Sequence, residues 1–190
     1  RDLHSFPTRR SSDLGVMFQQ PRLLPWLNTR DNIALGLKAR GDSRPQREQV
    51  AEQLATDMGL TPQDLDKHPS ELSGGMQSRA ALARAFAIRP DLLLLDEAFG
   101  ALDIGLKAEL YRLLQRQRAQ HGTAVLMVTH DVMEALRLAD RIVVLAGQPG
   151  CIRADVPLST PAVDRTDAWV YQHTAEFLAR PDIRTAFSLL

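Results

Sequence analysis

Two acidic side chains closing an apolar run, Asp96 and Glu97 after Leu92-Leu93-Leu94-Leu95, are placed to do chemistry. A third group, His130, stands in Thr129-His130-Asp131, directly after the apolar run Ala124 to Val128. Ligands of open α/β sheets gather at the carboxyl ends of the strands. Right-handed crossovers keep neighbouring parallel strands in one orientation, so Asp96, Glu97 and His130 are expected to face one crevice. Two carboxylates and a histidine there suit metal-assisted hydrolysis, in which one acid holds the cation and the other acts on water. A solvated Asp-Glu pair ending a strand is the plainer alternative. Upstream, Ser73-Gly74-Gly75 begins a helical stretch. A serine and two glycines leave the first backbone N–H groups uncrowded, and with the positive end of the helix dipole they make an anion site. An ordinary serine cap beside a flexible turn would read the same.

The elements that must position these groups follow from pattern. Gly15 to Phe18 reads as the end of a buried strand leading into Gln19, and a loop with Pro21, Pro25 and Trp26 follows. Asn28 and Thr29 can cap a helix running through Ile33, Leu35 and Leu37, with Gly41 beyond its end. Ser43 and Pro45 open another, with Val50, Leu54 and Met58 on one face and Gly59 closing it. A short helix from Thr61-Pro62 reaches Leu65. Ser73 starts a helix striped with Met76, Ala80, Ala83 and Ala87, and Pro90 stops it. Leu92 to Leu95 is apolar on both faces, as a central parallel strand should be. Asp103 opens a helix with Leu106, Leu110, Leu113 and Leu114, ended by Gly122. Asp131 and Glu134 have capping-box spacing. Ile142 to Leu145 and the alternating run Cys151 to Leu158 form a hairpin about Pro149-Gly150. Beyond Pro161, Val170, Thr174, Phe177 and Leu178 share a helix face that Pro181 ends. Strand, helix, strand, helix in the middle of the chain means a parallel sheet with helical cover.

Bulk properties narrow the function classes. The 190 residues suffice for one domain or a large part of one, with 44% apolar residues to build a core. Basic and acidic residues number 23 each, which removes the electrostatic footprint of a nucleic-acid binder. The single cysteine, Cys151, cannot form an internal disulfide, as fits a reducing compartment. No apolar stretch approaches the roughly 20 residues that span a bilayer, so membrane association would go through a partner. Residues 1 to 14 cluster Arg and Ser without any period. They read as a disordered tail or, from His4 on, as translated adapter DNA fused to a gene fragment, and the second reading is favoured.

Leu72-Ser73-Gly74-Gly75-Met76-Gln77, then Leu92 to Glu97, then Thr129-His130-Asp131, resemble in order and spacing the signature, Walker B and histidine elements of ATP-binding-cassette (ABC) ATPases. Gln19 is similar to the family's glutamine-loop residue, and Ala101-Leu102-Asp103 to its D-loop. The stretch Phe18-Gln19-Gln20-Pro21-Arg22-Leu23-Leu24-Pro25-Trp26 and Met76 resemble the nitrate, sulfonate and taurine importer type. The resemblance covers Gly15 to Leu158. It implies a P-loop NTPase-like α/β fold with a helical subdomain at about 28–88, a partial ATPase domain over 15–160 and a helical tail over 161–190. It further implies that Asp96 and Gln19 hold Mg²⁺, that Glu97 activates water and that His130 contacts the γ-phosphate of ATP. Ser73, Gly74, Gly75, Gln77, Gln19 and Asp103 would bind nucleotide across a dimer of two ATPase subunits. A transmembrane permease would dock on the Leu23, Leu24 and Trp26 surface, unless those residues simply fill the core of the helical block. A periplasmic solute-binding protein would act indirectly, and the chain would sit on the cytoplasmic face of a bacterial inner membrane. No nucleic-acid partner is expected.

The 190 residues contain no Gly-x-x-x-x-Gly-Lys-Ser/Thr, the loop whose backbone donors and lysine cradle phosphates. The expectation is that this polypeptide alone binds ATP weakly and hydrolyses it negligibly, with the first strands of the sheet and the phosphate loop absent. A non-transport ABC ATPase of the repair or chromosome-maintenance kind would carry a long coiled coil between Gln19 and Ser73, where only fifty-odd residues stand. A non-catalytic regulatory module is the other alternative, which Glu97 and His130 disfavour.

Overall fold

The computed structural model describes residues 14–187. The segment read as foreign or disordered lies outside the described residues, except Leu14, which begins β1 (Leu14–Phe18). Two compact units divide the chain, the first ending at Val128 and the second beginning at Thr129.

The first unit holds a three-stranded parallel sheet in the order β1-β2-β3, with β2 at Leu92–Asp96 and β3 at Ala124–Val128. Phe18, Asp96 and Val128 are register partners, so all three strands end at one level. Leu93 and Leu95 of β2 and Met17 of β1 are buried, as two-sided cover of a central strand requires. Between β1 and β2 lie helices α1 (Thr29–Ile33), α2 (Leu35–Arg40), α3 (Arg44–Asp57) and α4 (Gly74–Ala87), with two single-turn 3₁₀ segments at Pro62–Leu65 and Pro69–Glu71. α5 (Ile104–His121) crosses from β2 to β3. Its end is tied down where the Thr123 hydroxyl donates to Pro90 O at 2.9 Å.

Caps fall where side-chain chemistry places them. Asn28 accepts from Asp31 N, Ser73 from Met76 N and Asp103 from Leu106 N, each worth about 1 kcal/mol. The single helix expected over Thr29 to Arg40 is two, broken at Ala34. Asn32 is the cause: its buried amide donates to Leu24, Leu27 and Asn28 carbonyls and accepts from Leu24 N, binding the first turn to the preceding loop. Gly36, where a Cβ would meet Ile88 Cγ2 at 2.6 Å, lets the second piece approach closely.

α4 is the spine of the first unit. Ala80, Ala83 and Ala87 are buried, and the small stripe admits β1 so closely that a Cβ on Gly15 would sit 2.6 Å from Ala85 O.

The second unit packs α6 (Val132–Leu138), the antiparallel pair β4 (Arg141–Ala146) and β5 (Cys151–Pro157), α7 (Asp167–Ala179) and α8 (Pro181–Ala186). Leu136, Val144, Ala154, Val170, Phe177 and Ile183 form its core, so the tail helices and the hairpin share one nucleus. α7 stops at Ala179, just ahead of Pro181, as expected, and a second short helix begins at the proline itself. Pro181 occupies the first turn of α8, where its missing N–H costs nothing. Asp131 caps α6 through Met133 N and Glu134 N, while its own N–H goes to Thr129 Oγ1. The alternation expected for β5 breaks at a bulge: Val144 pairs with Ala154 but Leu145 with Ile152. Two residues of β5 against one of β4 carry Ile152 to the outer face, 66% exposed. Arg165 fastens the hairpin exit, its guanidinium donating to Leu136, Ala139 and Thr160 carbonyls.

Candidate functional site

Strand ends define the site. Asp96 is the last residue of β2 and exposed, beside the register partners Phe18 and Val128. Gln19 follows Phe18 directly and is also exposed. At Glu97 the chain turns sharply, with φ at 48°, a left-handed value that costs a residue bearing a Cβ about 1–2 kcal/mol. The turn is held from both sides: Glu97 N donates to Val128 O at 2.9 Å, and Glu97 O accepts from Gly100 N at 3.1 Å. Strain of this kind, over-determined by its surroundings, is often found at reacting sites.

Gly100 closes this turn. A Cβ built there would lie 3.5 Å from Glu97 O and 3.6 Å from Gln19 Nε2. The Gln19 amide therefore lies close to the turn that carries Glu97. Thus Gln19, Asp96 and Glu97 meet at one rim of the sheet. His130 belongs to the second unit and is exposed, two positions after Val128 in the chain.

A second cluster centres on the start of α4. Ser73 and Gly74 are exposed, and the first N–H groups of any helix have no partner within it. The Ser73 hydroxyl accepts the capping bond, leaving its own proton to donate. A Cβ at Gly75 would meet Leu106 Cδ2 at 3.0 Å, so the glycine brings this turn against the start of α5, where Asp103 caps Leu106. Gln77 has a bracing duty. Its amide donates to Pro69 O and Leu72 O, holding the loop ahead of the helix. Asp103 likewise has a structural duty as the cap of α5, with its side chain otherwise exposed.

On the loop after Gln19, Trp26 is 71% exposed, while Leu23 and Leu24 are half-buried. The leucines are thus partly covered, and the tryptophan faces out. Gly100 and Arg84 were not among the residues singled out from sequence. Gly100 gave no signal, but Arg84, a cation in the run Ala80 to Ala87, could have been noticed.

Among the described residues no helix is long and apolar enough to cross a membrane. Nor do any three His, Cys, Asp or Glu residues among them assemble a metal cage. A single exposed carboxylate with a nearby amide instead suits Mg²⁺, which keeps waters and takes phosphate oxygens.

Comparison with known proteins agrees with this geometry. The family model described as ABC transporter matches residues 3–100. The aliphatic sulfonates import ATP-binding protein of Rhodococcus jostii is 50% identical over 133 residues, 70% of this chain and 51% of that protein. A second protein of that description, from Nocardia farcinica, is 43% identical over 90% of this chain and 68% of its own length. The nitrate import ATP-binding protein of Synechocystis is 39% identical over 84% and 59%. An ATP-binding cassette solved as a dimer in a post-hydrolysis state, bound to ADP and Pi, superposes with a TM-score of 0.61. It is 33% identical, over 69% of this chain and 57% of that one. The chain spans little more than half the length of most curated relatives it matches. The α/β architecture with a parallel sheet is that of the ABC ATPase cassettes. The chain belongs to the ABC transporter family.

Proposed function

We propose that this chain is part of the ATP-hydrolysing subunit of an importer for a small anion of the nitrate, sulfonate or taurine kind. The observation that carries the reading is the meeting of Gln19, Asp96 and the strained Glu97 at one strand-end rim, in a chain of this family. The relatives named for sulfonate and nitrate import support the solute class.

In this reading Asp96, with help from the Gln19 amide, would hold Mg²⁺, which when bound would supply charge neutralisation at the phosphates of ATP. Glu97 takes a proton from the attacking water, its backbone held by the turn between Val128 O and Gly100 N. His130 orients that water and contacts the γ-phosphate. The Ser73 hydroxyl and the Gly74 and Gly75 N–H groups bind the γ-phosphate of ATP held by a second subunit, with Asp103 at the same interface. Gln77 contributes by keeping that turn in shape. The exposed Trp26 surface receives the permease on the cytoplasmic face of the membrane, and a periplasmic receptor delivers the solute.

The test joins this chain to the upstream region of a sulfonate-importer relative that carries a phosphate loop. Mg-ATP turnover is then measured beside that of the 190 residues alone. The chain alone is expected to show negligible hydrolysis, and the joined protein to hydrolyse ATP. Glu97→Gln should lower that rate about 10²–10⁴-fold, the range for a lost general base. An inactive joined protein, or one indifferent to Glu97→Gln, would overturn the proposal.

A further inference from the structure

Arg84 is the one charged residue in the stretch Ala80 to Ala87 of α4, whose other members are all buried. A cation in such a setting must find acceptors near at hand. It finds two successive carbonyls on the loop after Gln19: Nη1 donates to Arg22 O at 2.8 Å and Nη2 to Pro21 O at 2.7 Å. Burial holds this guanidinium below its usual basicity.

The loop is awkwardly shaped at that place. Arg22 has φ at 47°, and its guanidinium carbon lies 4.5 Å from the centre of the Phe18 ring. Further along, Leu24 is bonded both ways to the Asn32 amide. The loop is thus pinned at both ends, and Arg84 supplies the pin nearest Gln19. No other side chain has the rigid fork that reaches two adjacent carbonyls, so lysine is not equivalent.

Resting on the role of Gln19 given above, we propose that Arg84 is a positioning residue. It ties the glutamine loop to the helix that begins at Ser73-Gly74-Gly75, so that the Gln19 amide and the anion-binding turn are held in one frame. Displacement of either end is passed to the other through α4.

Hydrogen exchange read by mass spectrometry on the 190-residue chain tests this, comparing the parent with Arg84→Gln and Arg84→Lys. Amides of residues 19–24 should exchange about tenfold faster in Arg84→Gln, the scale expected for losing charge-assisted hydrogen bonds. Arg84→Lys, which keeps the charge and one contact, should fall between. Amides of Leu92 to Asp96 should be unchanged. Unaltered exchange in residues 19–24 would overturn the proposal. So would equal acceleration in Leu92 to Asp96, which marks Arg84 as general core support. No nucleotide enters the measurement, so failure of the tie and failure of the ATPase reading are separate results.

Discussion

The turn at Glu97 has a cost the backbone makes visible. Its left-handed φ means that a glycine would sit there more comfortably and a β-branched residue less so. Glu97→Val should be less stable than Glu97→Gly by about 1–2 kcal/mol in urea unfolding. Because both substitutions remove the carboxylate, the difference isolates the backbone. Asp64 shows the opposite economy. Its carboxylate, nearly covered, bonds first to Lys67 and then to the Thr61 hydroxyl and N–H, which holds its pKa at about 2 against an ordinary 3.8. A depressed acid stabilises the fold above pH 3.8, and the contribution is lost as pH falls through 2. Asp64→Asn should therefore cost about 1–2 kcal/mol near neutral pH and nearly nothing near pH 2. Urea midpoints at the two pH values check this.

Among elements, the approach of β1 to α4 tolerates least. Gly15→Ala would press a methyl against the Ala85 carbonyl, a backbone atom that cannot swing aside. A loss of about 1–3 kcal/mol is expected from a thermal or urea melt. Much of the element pattern was legible beforehand. Ser73, Asp103 and Asp131 each cap the helix their types announce, because capping is a contact between near neighbours in sequence. What could not be read depends on partners far along the chain. The helix break at Ala34 follows from Asn32 reaching into the loop ahead of it, and the approach of Gln19 to the turn at Gly100 joins residues some eighty positions apart. The bulge in β5 is invisible in a period-two pattern, since a register shift exists only between two strands.

At the scale of the whole molecule, the sheet of the first unit ends on one side at β3, one of its two outer strands among the described residues. Leu126 and Val128 on one of its faces are each more than half exposed. An open edge with an apolar face invites association between chains. Leu126→Lys should reduce light scattering severalfold at equal protein concentration, without slowing hydrogen exchange in β2. The strand-end placement of Asp96 and Glu97 was the part of the site best foretold, because it needs only an apolar run and the acids that close it. The meeting of those acids with Gln19 depends on the parallel register of β1 with β2, whereas the topology rules spoke only to Asp96, Glu97 and His130.

That register has a further consequence. β2 is bracketed by exposed aspartates, Asp91 before it and Asp96 at its end, and both ends are moored, the first by Ala124 N on Asp91 O and the second by the turn at Glu97. Removing any one of the four leucines leaves the strand a step short. Either Asp91 must then be drawn into the ladder or Asp96 pulled back from its place between Phe18 and Val128, and every side chain beyond the cut changes sides. The tetraleucine run is a ruler of fixed length, in which composition is forgiving and the count is not.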